Sequence, residues 1–171
     1  SVSDVSCFGV SGGSITVVQP TSGIPPYSYS LDGVNWQAGA VFNGLPAGAY
    51  TVYYRESNGC SGTTPVTIGS PALLQGAGAT VPVICRGQQN GIIAATATGG
   101  TAPYQYSINA GTSWQSLDTF FVPAGAYTLM IRDAHGCSVS KPVTVTEPAA
   151  LTATITTQNA TCNGGADGQI R

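Results

Sequence analysis

The sequence predicts an all-β fold made of tandem small antiparallel immunoglobulin-like β-sandwich repeats. Three observations support this prediction: the composition, an internal repeat, and runs in which apolar and polar residues alternate. Charged residues make up only 7% of the chain, so the helix formers Glu, Lys and Arg are scarce. The 23 Gly and 11 Pro residues suit turns, and the many Thr, Val and Tyr residues suit strands. This composition indicates many short strands joined by tight turns.

A repeat of about 77 residues organises the chain. Cys7, Cys85 and Cys162 are 78 and 77 residues apart, and Cys60 and Cys137 are 77 apart. Other segments recur in the same order, namely Pro26–Ser30 with Pro103–Ser107, Leu45–Thr51 with Val122–Thr128, and Asn58–Ser61 with His135–Ser138. We therefore divide the chain into a first repeat (1–71), a second repeat (72–148) and the start of a truncated third repeat (149–171).

Alternating runs at strand length predict the strands of the second repeat, and the first repeat follows the same pattern. The predicted strands are Ala79–Ile84, Gly91–Thr98, Tyr104–Ile108, Tyr127–Arg132 and Val143–Thr146. In the fourth of these, Tyr127, Leu129 and Ile131 fall on one face and are expected to be buried. Six or seven short strands in each repeat fit a small sandwich of immunoglobulin type.

Two motifs in each repeat are interpreted as structural turns. Tyr50 and Tyr127 each open a late strand after a Pro-Ala-Gly-Ala turn, where such a sandwich carries its tyrosine corner. We expect both rings to be mostly buried, with their hydroxyl groups hydrogen-bonded to the backbone. Segments 30–36 and 107–114 resemble the Asp-box turn, S-x-D-x-G-x-T-W, with Asn109 for Asp in the second and one residue fewer in the first. We interpret both as hairpins.

One early and one late cysteine in each repeat indicate an oxidising compartment. Pairing within each repeat (Cys7–Cys60 and Cys85–Cys137) would leave Cys162 unpaired and would close loops of about 50 residues, worth roughly 4 kcal/mol each. Pairing across the linker would join Cys60 to Cys85 and Cys137 to Cys162. A third scheme joins the early cysteine of one repeat to the late cysteine of the next, as Cys7–Cys137. We favour pairing within repeats, although the first loop and the last hairpin of an immunoglobulin-like domain lie at opposite poles.

Composition also argues against several functional classes. The net charge is −2 and the five basic residues are spread along the chain, so no nucleic-acid partner is expected. The apolar stretches are far shorter than the roughly 20 residues that cross a bilayer, so no membrane insertion is expected. His135 is the one imidazole, and it replaces Asn58 in a turn, so it is interpreted as a turn variant. We predict no catalytic residue, no metal site, no cofactor and no enzymatic activity.

Trp36 and Trp114 are the candidate ligand-contacting residues, because each follows a polar turn where an exposed indole could stack on a sugar ring. The structural interpretation, a Trp that closes a hairpin and packs on its own sheet, is favoured over a glycan contact. The recurring pairs Arg55-Glu56 and Arg132-Asp133 are interpreted as charges at strand ends that face solvent.

The recurring residues resemble the SprB repeat family over essentially the whole chain. The matching positions are Cys7, Gly9, Pro26–Ser30, Leu45–Thr51 and Asn58–Ser61 in the first repeat, and Gly99-Gly100, Pro103-Tyr104, Gly136-Cys137 and Val143-Thr144 in the second. The departures are His135 for the usual Asn and the segment 21–24 for the usual Gly-Gly. The resemblance implies a module of very large surface adhesins of gliding Bacteroidota, exported by the type 9 secretion system and displayed at the cell surface.

We expect a structural stalk that holds an adhesive tip away from the cell. Its expected partners are neighbouring repeats, a surface polysaccharide, and the secretion and gliding machinery through the parent protein. The alternatives are carbohydrate-binding repeats or an accessory domain of a large secreted hydrolase. The linkers around Pro71 and Pro148 contain no Gly/Ser run, and proline restricts the backbone on both sides. They therefore predict a semi-rigid, end-to-end arrangement, with residues 149–171 as a loosely held tail or as the donor of one strand.

Overall fold

The computed structural model describes residues 1–170 and confirms the all-β fold, since these residues contain strands and turns but no helix. In chain order the strands are β1 (Val2–Ser3), β2 (Ser11–Thr16), β3 (Ser28–Ser30), β4 (Val41–Pro46), β5 (Gly48–Arg55), β6 (Ser61–Ile68), β7 (Gln75–Val81), β8 (Gly91–Thr98), β9 (Gln105–Ser107), β10 (Thr119–Val122), β11 (Gly125–Arg132), β12 (Ser138–Val145), β13 (Thr157–Gln158) and β14 (Gln169–Ile170).

Each repeat folds into two small antiparallel sheets. The first repeat has sheets ordered β1-β2-β4 and β3-β5-β6, and the second has β7-β8-β10 and β9-β11-β12 in the same relative order. This order corresponds to strands A-B-E and C-F-G of an immunoglobulin-like sandwich that has no D strand. The tandem sandwich architecture predicted from the alternating runs is therefore confirmed.

Burial of one face of each sheet explains why these segments become strands. In the second repeat, Ile93 on β8 and both Leu129 and Ile131 on β11 are 0% exposed, and together they form the centre of its core. The first repeat has a smaller core around Ile15, Val52 and Ile68. In both cases every second residue of the strand points inward, as the alternating sequence predicted.

The first strand of the second repeat begins earlier than predicted. The sequence suggested Ala79–Ile84, whereas β7 spans Gln75–Val81 and pairs along its whole length with β8. The inward positions at its start are Gly76 and Gly78, and a Cβ atom there would lie 2.4 Å from Ile131 Cδ1 or 2.8 Å from Leu129 Cδ2. Because glycine has no side chain, this half of the strand shows no apolar alternation.

The favoured cysteine pairing is wrong. Cys7 forms a disulfide with Cys137, with their Cα atoms 5.8 Å apart, whereas Cys60, Cys85 and Cys162 are free and exposed. The bonds Cys7–Cys60 and Cys85–Cys137 do not form because, within one repeat, the early cysteine lies in the loop after the first strand and the late cysteine lies in the hairpin at the other end of the sandwich. The scheme that joins successive repeats is the one observed.

Residues 147–170 are exposed throughout. β13 and β14 pair with each other through Thr157↔Ile170 and Gln158↔Gln169. Residues 151–156, which precede β13, are in no strand, and Leu151 and Ile155 are 101% and 71% exposed.

Candidate functional site: the joint between the repeats

The two repeats meet pole to pole. We call the end of each sandwich that carries its last hairpin (β5–β6 or β11–β12) the upstream pole, and the end that carries the loop after its first strand the downstream pole. Cys60 and Cys137 lie in the last hairpins, whereas Cys7 and Cys85 lie in the first loops. The Cys7–Cys137 disulfide therefore connects the downstream pole of the first repeat to the upstream pole of the second.

The linker between the repeats is hydrogen-bonded on both sides. At its start, the Gly69 carbonyl accepts from Val5 N (3.2 Å), and Gly69 N donates to the Asp4 carboxylate (2.7 Å). At its other end, the Ala72 carbonyl accepts from Gly100 N at 2.8 Å, and the Leu74 side chain is buried. These bonds attach six residues of chain to both sandwiches, so the linker is not a flexible coil.

A glycine is required where the linker crosses the second repeat. Gly99 has φ +71°, and a Cβ atom at this position would lie 2.0 Å from the Leu73 carbonyl oxygen. Any other residue would combine backbone strain with a steric clash. Gly99 is the first of the two adjacent glycines, Gly99-Gly100, that resemble the family motif. It is therefore a position in the joint where the linker backbone lies too close to leave room for a side chain.

Asp133 holds the hairpin loop that presents Cys137. Its side chain is 5% exposed and accepts hydrogen bonds from the backbone N–H groups of Thr101, His135 and Cys137, each at 2.9 Å. The expectation that this acidic residue faces solvent is therefore wrong. The Asp133 carboxylate fixes the loop conformation because it satisfies three backbone donors at once.

His135 lies at the same contact. Its Nδ1 atom is 3.2 Å from the Ser6 carbonyl oxygen, and the proton on Nδ1 is donated to that oxygen. Its counterpart Asn58 in the first repeat instead accepts a bond from Cys60 N. The substitution that looked like a neutral turn variant thus contributes a polar contact between repeats.

Trp36 and Trp114 are half-buried, and each carries a guanidinium group on its ring. Arg55 Cζ lies 4.1 Å from the Trp36 ring centroid, and Arg132 Cζ lies 4.2 Å from that of Trp114. Arg55 is exposed, as expected of a charge at a strand end, whereas Arg132 is half-buried, and both stack on these rings as cation–π partners. Trp36 Nε1 also donates to the Gly33 carbonyl at 3.1 Å, so Trp36 closes its own hairpin.

The turn before each Trp is a network of side-chain hydrogen bonds. In the first repeat, the Asp32 carboxylate accepts from the Asn35 side chain, from the backbone of Asn35 and Val34, and from the Ser30 hydroxyl. These donors, the Asn35 side chain foremost, hold the pKa of Asp32 well below its ordinary value. The second repeat builds the same turn on Asn109, without a charge.

Tyr50 and Tyr127 donate their hydroxyl protons to the carbonyl groups of Pro46 (2.8 Å) and Pro123 (2.9 Å). This is the geometry of a tyrosine corner, in which the tyrosine hydroxyl bonds to a backbone carbonyl at the turn between strands E and F. Here that carbonyl lies four residues upstream of the tyrosine. Both rings are half-buried, which is less than the sequence suggested.

Among residues 1–170, no group of three or more His, Cys, Asp or Glu residues is arranged to hold a metal ion. Nor does this part of the chain contain a helix long and apolar enough to span a membrane.

The fold and the joint define a tandem β-sandwich module whose successive domains are linked covalently. Two segments match the SprB repeat family, residues 1–35 and residues 77–113, and each covers the first half of one sandwich. The two segments are therefore similar to SprB repeats, which are modules of large cell-surface proteins. No curated protein matches the chain.

Proposed function

We propose that this chain is a stalk segment of a large secreted cell-surface adhesin, of the kind used by gliding Bacteroidota for motility and surface attachment, and that it is not an enzyme. The observation that supports this proposal is the joint. A stalk must keep its domains aligned and must carry tension, and the joint combines a hydrogen-bonded linker with a disulfide between the repeats.

The position of the disulfide suits a load-bearing role. It joins residues 130 positions apart, so tension applied at the chain ends passes from β1 through the Cys7–Cys137 bond to β12, and the chain between the two cysteines is bypassed. The proposed location is extracellular, because a structural disulfide persists in an oxidising compartment. The parent protein would reach the surface by type 9 secretion and would connect the stalk to the gliding machinery.

Small-angle scattering of the full chain tests the shape. Strands of eight residues rise about 3.3 Å per residue, so with its turns each repeat extends the axis by roughly 35–40 Å, and two repeats span about 75 Å. A rod of that length has a radius of gyration of about 22 Å, whereas a compact globule of this size has about 16 Å. We expect the larger value. A compact particle would refute the stalk.

Carbohydrate binding is the second candidate, and one observation favours it. Trp114 lies beside Tyr106, Phe120, Asn109 and Gln115 in a groove of about 330 Å³. Aromatic faces next to side-chain amides suit a sugar ring. The polysaccharide partner would then bind to the second repeat.

A glycan array separates the two functions. If the groove binds sugar, Trp114→Ala abolishes binding while Trp36→Ala retains it, because Trp114 lines this groove and Trp36 does not. Absence of binding by the unmodified chain, or binding that survives Trp114→Ala, contradicts this second candidate and leaves the stalk intact.

A further inference from the structure

The outer face of the sheet β7-β8-β10 in the second repeat carries a row of large apolar side chains. Val81 and Phe121 both lie opposite Ile92, so the three residues are cross-strand neighbours. Their side chains point away from the core, since Ile93, the next residue of β8, points inward and none of the three belongs to the buried cluster. Val81 is 52% exposed and Phe121 is 72% exposed. Large apolar side chains exposed side by side are typical of a binding surface.

The same row in the first repeat is polar, and it shows that a neighbouring repeat does not cover this face. By register, the row consists there of Ser3, Ser14 and Asn43. Ser3 and Asn43 are exposed although the second repeat follows the first and is joined to its downstream pole. In the second repeat, Val81 and Phe121 are exposed although the first repeat precedes it. The exposure of the apolar row therefore does not depend on the repeats on either side.

The row beside the apolar one is made of small side chains. Two residues further along the strands, Ala79 and Thr119 both lie opposite Ala94. No charged residue occurs on β7, β8 or β10. A partner for this face must therefore offer a flat, uncharged and apolar surface, because an ion placed on it would lose its water without gaining a counter-charge. A second copy of the same face meets this requirement.

The two rows make the face complementary to itself. When two copies stack face to face about a two-fold axis that runs across the strands between the rows, the large row of each copy lies over the small row of the other. Phe121 of one copy then packs on Thr119 of the other, and Ile92 packs on Ala94. Because large side chains meet small ones, the sheets can approach to the roughly 10 Å that is usual for packed sheets. An axis along the strands would instead set the large rows against each other and hold the small rows apart.

We propose that this outer face of β7-β8-β10 binds the same face of a second copy of the chain, with the two chains running antiparallel. A two-fold axis across the strands reverses the strand direction between the copies, and the strands of each sandwich run from pole to pole, along the chain of repeats. Antiparallel chains are the arrangement that two facing surfaces present. The inference deepens the proposed stalk function and rests on it for this consequence, a contact between the stalks of facing cells.

The size of the face indicates a weak contact between single copies. Three strands about 4.8 Å apart and about six residues long, at about 3.3 Å per residue, give a face of roughly 300 Å². Two copies together bury about 600 Å², which is half of the roughly 1,200 Å² at the lower limit of a stable interface. The contact therefore gains strength where several copies are held side by side on a surface.

Sedimentation of the full chain up to millimolar concentration tests the contact, with the free cysteines blocked by iodoacetamide. We expect a reversible equilibrium between monomer and dimer. Val81→Ser combined with Phe121→Asn, the residues that the first repeat has in this row, should weaken the association at least about tenfold, because the two-fold axis counts each lost side chain twice.

Val34→Ser combined with Ile24→Asn is the matched control, because these side chains are 77% and 56% exposed but lie in loops of the first repeat, outside the face. This control should change the association less than about twofold. Ala79→Lys leaves every large side chain in place and sets an ammonium group against Val81 of the other copy, so it should also weaken the association at least about tenfold. A monomer at every concentration, equal effects of the two double variants, or full association of Ala79→Lys overturns the contact.

Small-angle scattering at concentrations where the dimer forms tests its direction. An antiparallel pair overlaps only through its second repeats, so the particle spans three repeats, or about 105–120 Å at roughly 35–40 Å per repeat. A dimer that keeps the length of one chain, about 75 Å, is parallel and overturns the antiparallel contact. The stalk is read separately, from the scattering of the dilute monomer. An elongated monomer that does not associate leaves the stalk standing when the contact has failed, whereas a compact monomer counts against the stalk itself.

Discussion

Reduction of the Cys7–Cys137 disulfide under mechanical load should release a large and calculable length of chain. When the two ends are pulled, the force passes through the disulfide, and the chain between its two cysteines, which are 130 positions apart, carries no load. An extended residue spans about 3.3–3.6 Å, so reduction exposes about 430–470 Å of additional contour length. The folded distance that must be subtracted is small, since the two Cα atoms are 5.8 Å apart.

Single-molecule force spectroscopy measures this length, with handles at both ends of the full chain. Without reductant, we expect extension only of the residues outside the disulfide loop. With reductant, two further unfolding steps of similar size should appear, one for each sandwich. A variant with Cys60→Ser and Cys85→Ser keeps the disulfide and should behave like the unmodified chain. Two sandwich-sized steps in the oxidised chain would refute the load path.

Three other predictions concern stability. Replacing both Cys7 and Cys137 with Ser should lower the free energy of unfolding by about 5 kcal/mol, because the unfolded chain gains the entropy of an opened loop, and urea unfolding measures the difference. Gly78→Val should cost about 1–3 kcal/mol by overpacking, since a Cβ there lies 2.8 Å from Leu129 Cδ2, and a calorimetric midpoint equal to that of the unmodified chain would contradict it. The pKa of Asp32 lies below its ordinary value of 3.8, because hydrogen bonds hold the carboxylate in its ionised form. The stability that the ionised carboxylate gives to the fold is therefore fully present above about pH 4 and is lost as the pH falls towards the lowered pKa. The stability difference between the unmodified chain and Asp32→Asn should therefore shrink below about pH 4 in urea titrations.

Regular alternation made most of the fold predictable from the sequence. β8 was predicted with its observed bounds, Gly91–Thr98, and the inward face of β11 was predicted from Leu129 and Ile131. The strands that were misplaced or missed lack this signal. β7 has glycine at its inward positions, and β10 has only four residues, Thr119–Val122. A strand without large inward side chains, or one that is very short, leaves no periodic pattern to detect.

The candidate site was less predictable, because it depends on the relative positions of residues far apart in the chain. Arg55 and Arg132 recur at the repeat spacing, and that recurrence was the one signal that they have a structural role on the Trp rings. Nothing local distinguishes the buried Asp133 from a solvent-facing acid at a strand end. Its burial results from packing of the 99–101 loop against the β11–β12 hairpin.

The repeat, the sandwich class and the turn chemistry follow from local preferences and short-range periodicity, which a single strand or hairpin already expresses. The cysteine pairing does not. Five cysteines with regular spacing are compatible with several schemes, and the choice depends on which poles of two sandwiches meet. Only the folded chain brings Cys7 within 5.8 Å of Cys137, because the linker continues β6 of one repeat into β7 of the next and so places the first loop of one sandwich against the last hairpin of the other.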